Sequence, residues 1–166
     1  PRTSLGTPMP ADHEEGGKTI ATNRKARHDY AVLETVETGI VLTGTEVKSL
    51  RQGRANLAES YAMVRRGEVW VVGLHISPYD QGSYSNVDPI RDRKLLLHKK
   101  EIRKLIARAA EKGLALIPLR LYFKQGWAKI EIGLAKGRTH DDRRDAIAER
   151  ESKREMDRAM ARNRRR

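Results

Sequence analysis

The chain has 166 residues and no cysteine, with 34 Lys+Arg against 22 Asp+Glu, a formal charge of +12. The length allows one domain with a modest core plus appendages, and the lack of thiols excludes disulfides and thiolate metal sites and fits a reducing compartment. No apolar run approaches the roughly 20 residues that cross a bilayer, so a soluble, cytoplasmic protein with a polyanionic partner and no membrane role is expected.

Residues 1–17, PRTSLGTPMPADHEEGG, hold three Pro and three Gly and read as a flexible leader. The core begins near Lys18. HDYAVLETVE (28–37) has the β-branched and aromatic content of a strand, Thr38-Gly39 reads as a turn, and IVLTGT (40–45) as a second strand. EVKSLRQG (46–53) reads as a short helix closed by Gly53. YAMVRRGEVWVVGLHIS (61–77) is a hairpin around Arg66-Gly67-Glu68 with a nearly all-apolar second arm, and 78–93 is a loop. LLLHKKEIRKLIARAAEKG (95–113) carries Ile102, Leu105, Ile106, Ala109 and Ala110 at helical spacing and stops at Gly113. LALIPLRLYF and WAKIEIGLA form a last hairpin around Lys124-Gln125-Gly126, and Pro118 predicts an edge or a bulge in its first arm. About six strands with one or two helices on short turns predict a mainly β fold over 18–137. Its economical form is a small antiparallel barrel, closed or nearly so and OB-like, because closure removes open edges.

Charge is concentrated in three places. Lys18, Arg24, Lys25, Arg27 and His28 precede Tyr30. Residues 91–108 hold eight Lys or Arg against Asp92 and Glu101, a net +6. A solvated helix face explains one such cluster, but two of them with Tyr30 and Tyr61 available for stacking favour RNA. From Arg138 to the end, 18 of 29 residues are charged, and Arg150, Arg154, Arg158, Arg162 and Arg166 recur every fourth residue. In a helix these form a slowly winding stripe. Ile147, Met156 and Met160 are too few to dock it, so the segment 138–166 is expected to be disordered alone and helical against polyphosphate.

No enzyme site is legible. His140-Asp141-Asp142 offers metal-ligand types but sits among arginines, His98 with Glu101 lacks a second pair, and no glycine loop suited to phosphate appears. No cofactor is expected.

NRKARHDY (23–30), GIVLTGTEVKSLRQGRANLAESYA (39–62), RKLLLH (93–98) and LYFKQGWAKIEIGLAKG (121–137), in this order, resemble the SmpB family, the SsrA-binding proteins of bacterial trans-translation. The resemblance implies an OB-like closed barrel with peripheral helices and a C-terminal tail that is unstructured in solution and helical on the ribosome. It implies a monomer that binds the tRNA-like domain of transfer-messenger RNA and supports its charging by alanyl-tRNA synthetase. With elongation factor Tu, the complex then reaches ribosomes stalled without a stop codon. The body would fill the place of the missing anticodon arm while the tail enters the decoding centre and the empty messenger channel of the small subunit.

By motif, Asn23, His28, Tyr30, Glu37, Tyr61, Leu96, Lys129 and Leu134 match positions linked to transfer-messenger RNA binding. Tyr30 and Tyr61 suit stacking or a phenolic hydrogen bond, and Lys129 suits phosphate. Glu37 is open to three roles: accepting from a base amino group, accepting from a 2′-hydroxyl, or orienting a neighbouring Arg. Leu96 and Leu134 read equally well as core. For the tail the resemblance implies Gly137, His140, Asp142, Arg143, Arg144, Arg150, Arg154 and Arg158, with Gly137 letting the chain turn away from the body. Asp142-Arg143-Arg144 matches the family's Asp-Lys-Arg triplet with Arg for Lys. Asp141 stands where the family often has a stacking His or Tyr, one residue after His140. The alternative is a generic basic protein of the ribosomal or RNA-chaperone kind.

Overall fold

Alternation of buried and exposed residues fixes which face of each strand turns inward, and the strands among the described residues are nine. The computed structural model describes residues 18–110 and 113–164. Strand β1 (Thr19–Thr22) leads into helix α1 (Arg24–Asp29), strand β2 (Tyr30–Ile40) and helix α2 (Gly44–Arg51). Then come β3 (Ala55–Asn56), β4 (Tyr61–Arg65), β5 (Glu68–Val72), β6 (His75–Ile76), a 3-10 turn at Ser83–Ser85 and β7 (Arg93–Leu96). Helix α3 (Lys99–Ala109), strands β8 (Leu114–Lys124) and β9 (Trp127–Gly137), and helix α4 (His140–Asn163) complete the order.

All pairings are antiparallel. Seven strands form one sheet in the order β1-β8-β4-β5-β7-β2-β9, and β9 also pairs with β8, so six of them follow one another around a ring. The ring is uneven. β8 and β9 pair along their whole lengths, whereas β4 meets β8 at the single pair Ala62 and Leu116. Strands β3 and β6 form a separate two-stranded ladder. The inner faces supply a core that includes Val69, Val71, Leu95, Leu121, Ile130, Ile132 and Leu134, and α3 closes it with Ile102 and Leu105.

The two long hairpins turn on Arg66-Gly67 and Gln125-Gly126, where both central residues have positive φ, the type I′ pattern that matches strand twist. Pro118 does sit beside a register shift, between Pro118 and Arg120 of β8. Other expectations change. Thr38-Gly39 is not a turn: β2 runs straight through it, because Thr38 donates its hydroxyl to the Ile130 carbonyl (3.2 Å) and Gly39 pairs with both Leu96 and Lys129. Residues 95–96 are not helical either. They belong to β7, and the helix begins after His98, whose backbone N–H donates to Glu101 (3.0 Å).

The largest correction concerns the 91–108 cluster. Arg93 is not a surface base; it is fully buried. Its guanidinium donates to Glu46 (2.5 Å), to the Leu74 carbonyl (2.5 Å) and to the Pro89 carbonyl (3.0 Å). Arg91 donates to the other Glu46 oxygen. Glu46 in turn caps α2 with Thr43. Burial opposes the charge on Glu46, but the hydrogen bonds from Arg91, Thr43 and Arg93 outweigh it and hold the carboxyl below its ordinary value of 4.5. Two of the eight cluster bases therefore hold loop 77–92 to the body.

Candidate nucleic-acid interface

The residues singled out by sequence divide between two surface regions and the core. The first region lies where α1 meets β2 and β4. Asn23 is the N-cap of α1: its carbonyl oxygen accepts from Ala26 N–H (3.0 Å), and its amide donates to the carbonyls of Leu57 (3.1 Å) and Pro118 (2.9 Å). It is 2% exposed, so it positions α1 rather than reaching outward. His28, in the last turn, is exposed, with Nδ1 2.9 Å from Asp29 Oδ1. Tyr30 starts β2, and together with Tyr61 at the start of β4 it lines two adjoining grooves. One groove is walled by Lys25, Asp29 and Glu59; the other is apolar, with Met63, Val64, Leu114 and Ile117.

The second region is at the far end of β2, about 23 Å from Tyr30 at the usual strand rise. Glu37 accepts a short hydrogen bond from the Tyr122 hydroxyl and lies 3.4 Å from Lys124 Nζ. Burial raises its pKa, but Tyr122 and Lys124 more than compensate, so the carboxyl stays below 4.5. Tyr122 moves the opposite way, raised by burial and by the Glu37 carboxylate. The partner of Glu37 is thus a lysine and a tyrosine. The arginine nearby, Arg120, lies instead over the Tyr122 ring (4.3 Å) and 3.6 Å from Glu131, which also approaches Arg27 (3.7 Å). Sequence reasoning missed this ladder. Its signal was the alternation in LRLYFK, which puts Arg120, Tyr122 and Lys124 on one face of β8.

Register separates the two leucines. Leu96 is 52% exposed beside Gly39, whereas Leu134 is 1% exposed and belongs to the core. Lys129 is partly exposed and pairs with Gly39 and Tyr122.

Gly137 does not turn the chain. It remains in β9 opposite Tyr30, and the next residue extends the ladder, with Arg138 N–H donating to the Asp29 carbonyl (2.9 Å). Helix α4 therefore starts beside α1. His140, Asp142 and Arg143 fall in its first turn, with side chains outside the described residues. Arg144, Arg150, Arg154 and Arg158 are exposed, and Arg150 donates to the Arg27 carbonyl (3.2 Å). Ile147, Met156 and Met160 are exposed as well.

A family model described as SmpB protein matches residues 20–162. The chain belongs to the SmpB family. An SsrA-binding protein of Anaeromyxobacter sp. (strain K) is 57% identical over 149 residues, covering 90% of this chain and 91% of that one. One from Ruminiclostridium cellulolyticum is 58% identical over 147 residues, covering 89% and 96%. A solved structure described as "tmRNA-SmpB: a journey to the center of the bacterial ribosome" contains a similar chain at 50% identity and a TM-score of 0.62. The match covers 76% of this SmpB-family chain and 93% of the other. Among the described residues, no helix is long and apolar enough to cross a membrane.

Proposed function

We propose that this SmpB-family chain binds the tRNA-like domain of transfer-messenger RNA and delivers it to stalled ribosomes for trans-translation. The observation that carries the reading is the Tyr30–Tyr61 surface: two aromatic residues meeting at adjoining grooves, with His28 and the basic residues of α1 around them. Unpaired bases stack on such side chains while cations take the phosphates. Asn23 supports the surface from beneath, and Leu134 contributes through the core. Body 18–137 is read as an OB-like closed barrel, supported by the return pairing of β9 on β8, and as a monomer. The leader expected at residues 1–17 lies outside the described residues.

The tail, 138–166, is read as the ribosomal element. Exposed Arg144, Arg150, Arg154 and Arg158 would meet ribosomal RNA in the decoding centre and messenger channel, with the Gly137–His140 stretch as the root and Asp142-Arg143 leading. The sparse apolar content of α4 supports a tail that is coil when free and helical when bound. Alanyl-tRNA synthetase and elongation factor Tu then meet the protein through the RNA. The role needs neither catalysis nor a cofactor.

Competitive binding tests it. Full-length protein and protein ending at Gly137 should both prefer transfer-messenger RNA over bulk tRNA at physiological salt, and only the full-length form should support tagging at stalled ribosomes. Binding without preference, with a steep salt slope, would make the chain a generic basic RNA binder.

A further inference from the structure

Helix α1 cannot complete itself. At six residues it is too short to hold its shape alone in water, and its last four carbonyls have no partner within it. The Ala26 carbonyl accepts from the Tyr30 N–H, which ends the helix. Two others are met by one segment from the far end of the chain. The Asp29 carbonyl accepts from Arg138 N–H (2.9 Å), and the Arg27 carbonyl accepts from the Arg150 guanidinium (3.2 Å). A cation at this end of a helix is also favoured by its dipole. Asn23 thus fixes the start of α1, and the root of the tail fixes its end.

The two bonds differ in kind. That of Arg138 continues the β2–β9 ladder and needs no tail helix. Arg150 is carried back to α1 by α4. Residues 140–150 span about 15 Å as a helix and about 36 Å extended. The Arg150 bond therefore belongs to the helical state of the tail. The same placement sorts the charges of α4. Asp145 and Glu149 line the cleft at the tail root together with Lys136 and Arg138. At the helical period, Arg154 and Arg158 lie about 140–180° around α4 from these acids. They are exposed. One N–H group of Arg150 serves α1 while the rest of the arginine stripe stays open to a polyanion.

We propose that Arg150 is a positioning residue that couples folding of the tail to the surface at α1 and Tyr30. When residues 140–150 are helical, its bond holds the end of α1, which carries His28 and leads into Tyr30. By linkage, a ligand that orders α1 favours the tail helix by the same factor as the helix favours the ligand. RNA on the Tyr30–Tyr61 surface thus prepares the tail before the tail meets its own site. The coupling rests on the RNA-binding reading above and adds regulation to it, since protein that carries its RNA presents the arginines in helical form more often than free protein does.

The test uses full-length protein and transfer-messenger RNA, with wild-type preference over bulk tRNA measured first. If that preference is absent, the parent reading fails, whatever the variants do. If it is present, amide exchange across 140–150 is followed by mass spectrometry in free and RNA-bound protein. RNA should slow it by about 2- to 12-fold, the range that one net hydrogen bond supplies. Arg150→Ala should abolish the slowing and Arg154→Ala, with the same loss of charge, should keep it. Alanine is at least as good a helix former as arginine, so neither substitution weakens the tail helix by propensity. Arg150→Lys, which retains a cation at the carbonyl, should restore part of the effect. Slowing that is absent from the wild-type complex, or equal in Arg150→Ala and Arg154→Ala, overturns the coupling and leaves the parent reading standing.

Discussion

Arg93 illustrates how far a residue's type can mislead about its place. By composition it is one base among eight, yet the group that neutralises it, Glu46, lies 47 positions away and only the fold brings them together. The pair is buried, so removing one partner leaves the other's charge in the interior. Glu46→Ala should destabilise the protein by about 3–5 kcal/mol in urea unfolding. Acid should act on the same site. Because the folded carboxyl titrates below 4.5, its contribution is complete above pH 4.5 and is lost as pH falls through the lower folded value. Urea midpoints measured from pH 6 to pH 3 should fall less steeply in Glu46→Gln than in wild type. Leu96 and Leu134 teach the same lesson in apolar form. They are identical in chemistry, and the register alone sends one outward and the other into the core.

At the scale of elements, the sequence was most readable where local signals and long-range pairing agree. The type I′ hairpin at Gln125-Gly126 and the apolar stripe of α3 are of this kind. It was least readable where tertiary partners overrule local chemistry. Thr38-Gly39 has turn residues, but β7 and β9 on either side hold it extended, and Gly39 serves close approach instead. LLLH looked like the first turn of a helix because apolar runs carry no direction; pairing with β2 makes its first two residues, Leu95 and Leu96, part of a strand. Helix α1 was missed altogether, being six residues long and dependent on one cap. That dependence is measurable. Asn23→Ala removes the cap and two buried hydrogen bonds, which should cost about 2–4 kcal/mol in chemical unfolding. Affinity for transfer-messenger RNA should fall with it, although Asn23 itself faces inward.

For the whole molecule, a small β body with a basic tail was legible from strand count and charge, but the order of strands was not. The ring joins β8 to β4 and β2 to β7, pairings between distant segments that no local pattern announces. The ring is thinnest at one place. With Ala62 and Leu116 as its sole pair, the β4–β8 junction should open first, so amide exchange there should outpace exchange along β8–β9 in a mass-spectrometric time course. The β2–β9 junction is firm, and it fixes where the tail begins. Arg138 is bonded to Asp29, the residue just before Tyr30, so the tether is anchored at the rim of the grooves instead of hanging from a free end. The 24-residue helix reaches about 36 Å from that anchor. While α4 is helical, Arg144, Arg150, Arg154, Arg158 and Arg162 thus lie within one helix length of whatever occupies Tyr30 and Tyr61. For such a neighbour the tail acts as an attached reagent, at effective concentrations on the order of millimolar whatever the amount of protein in solution.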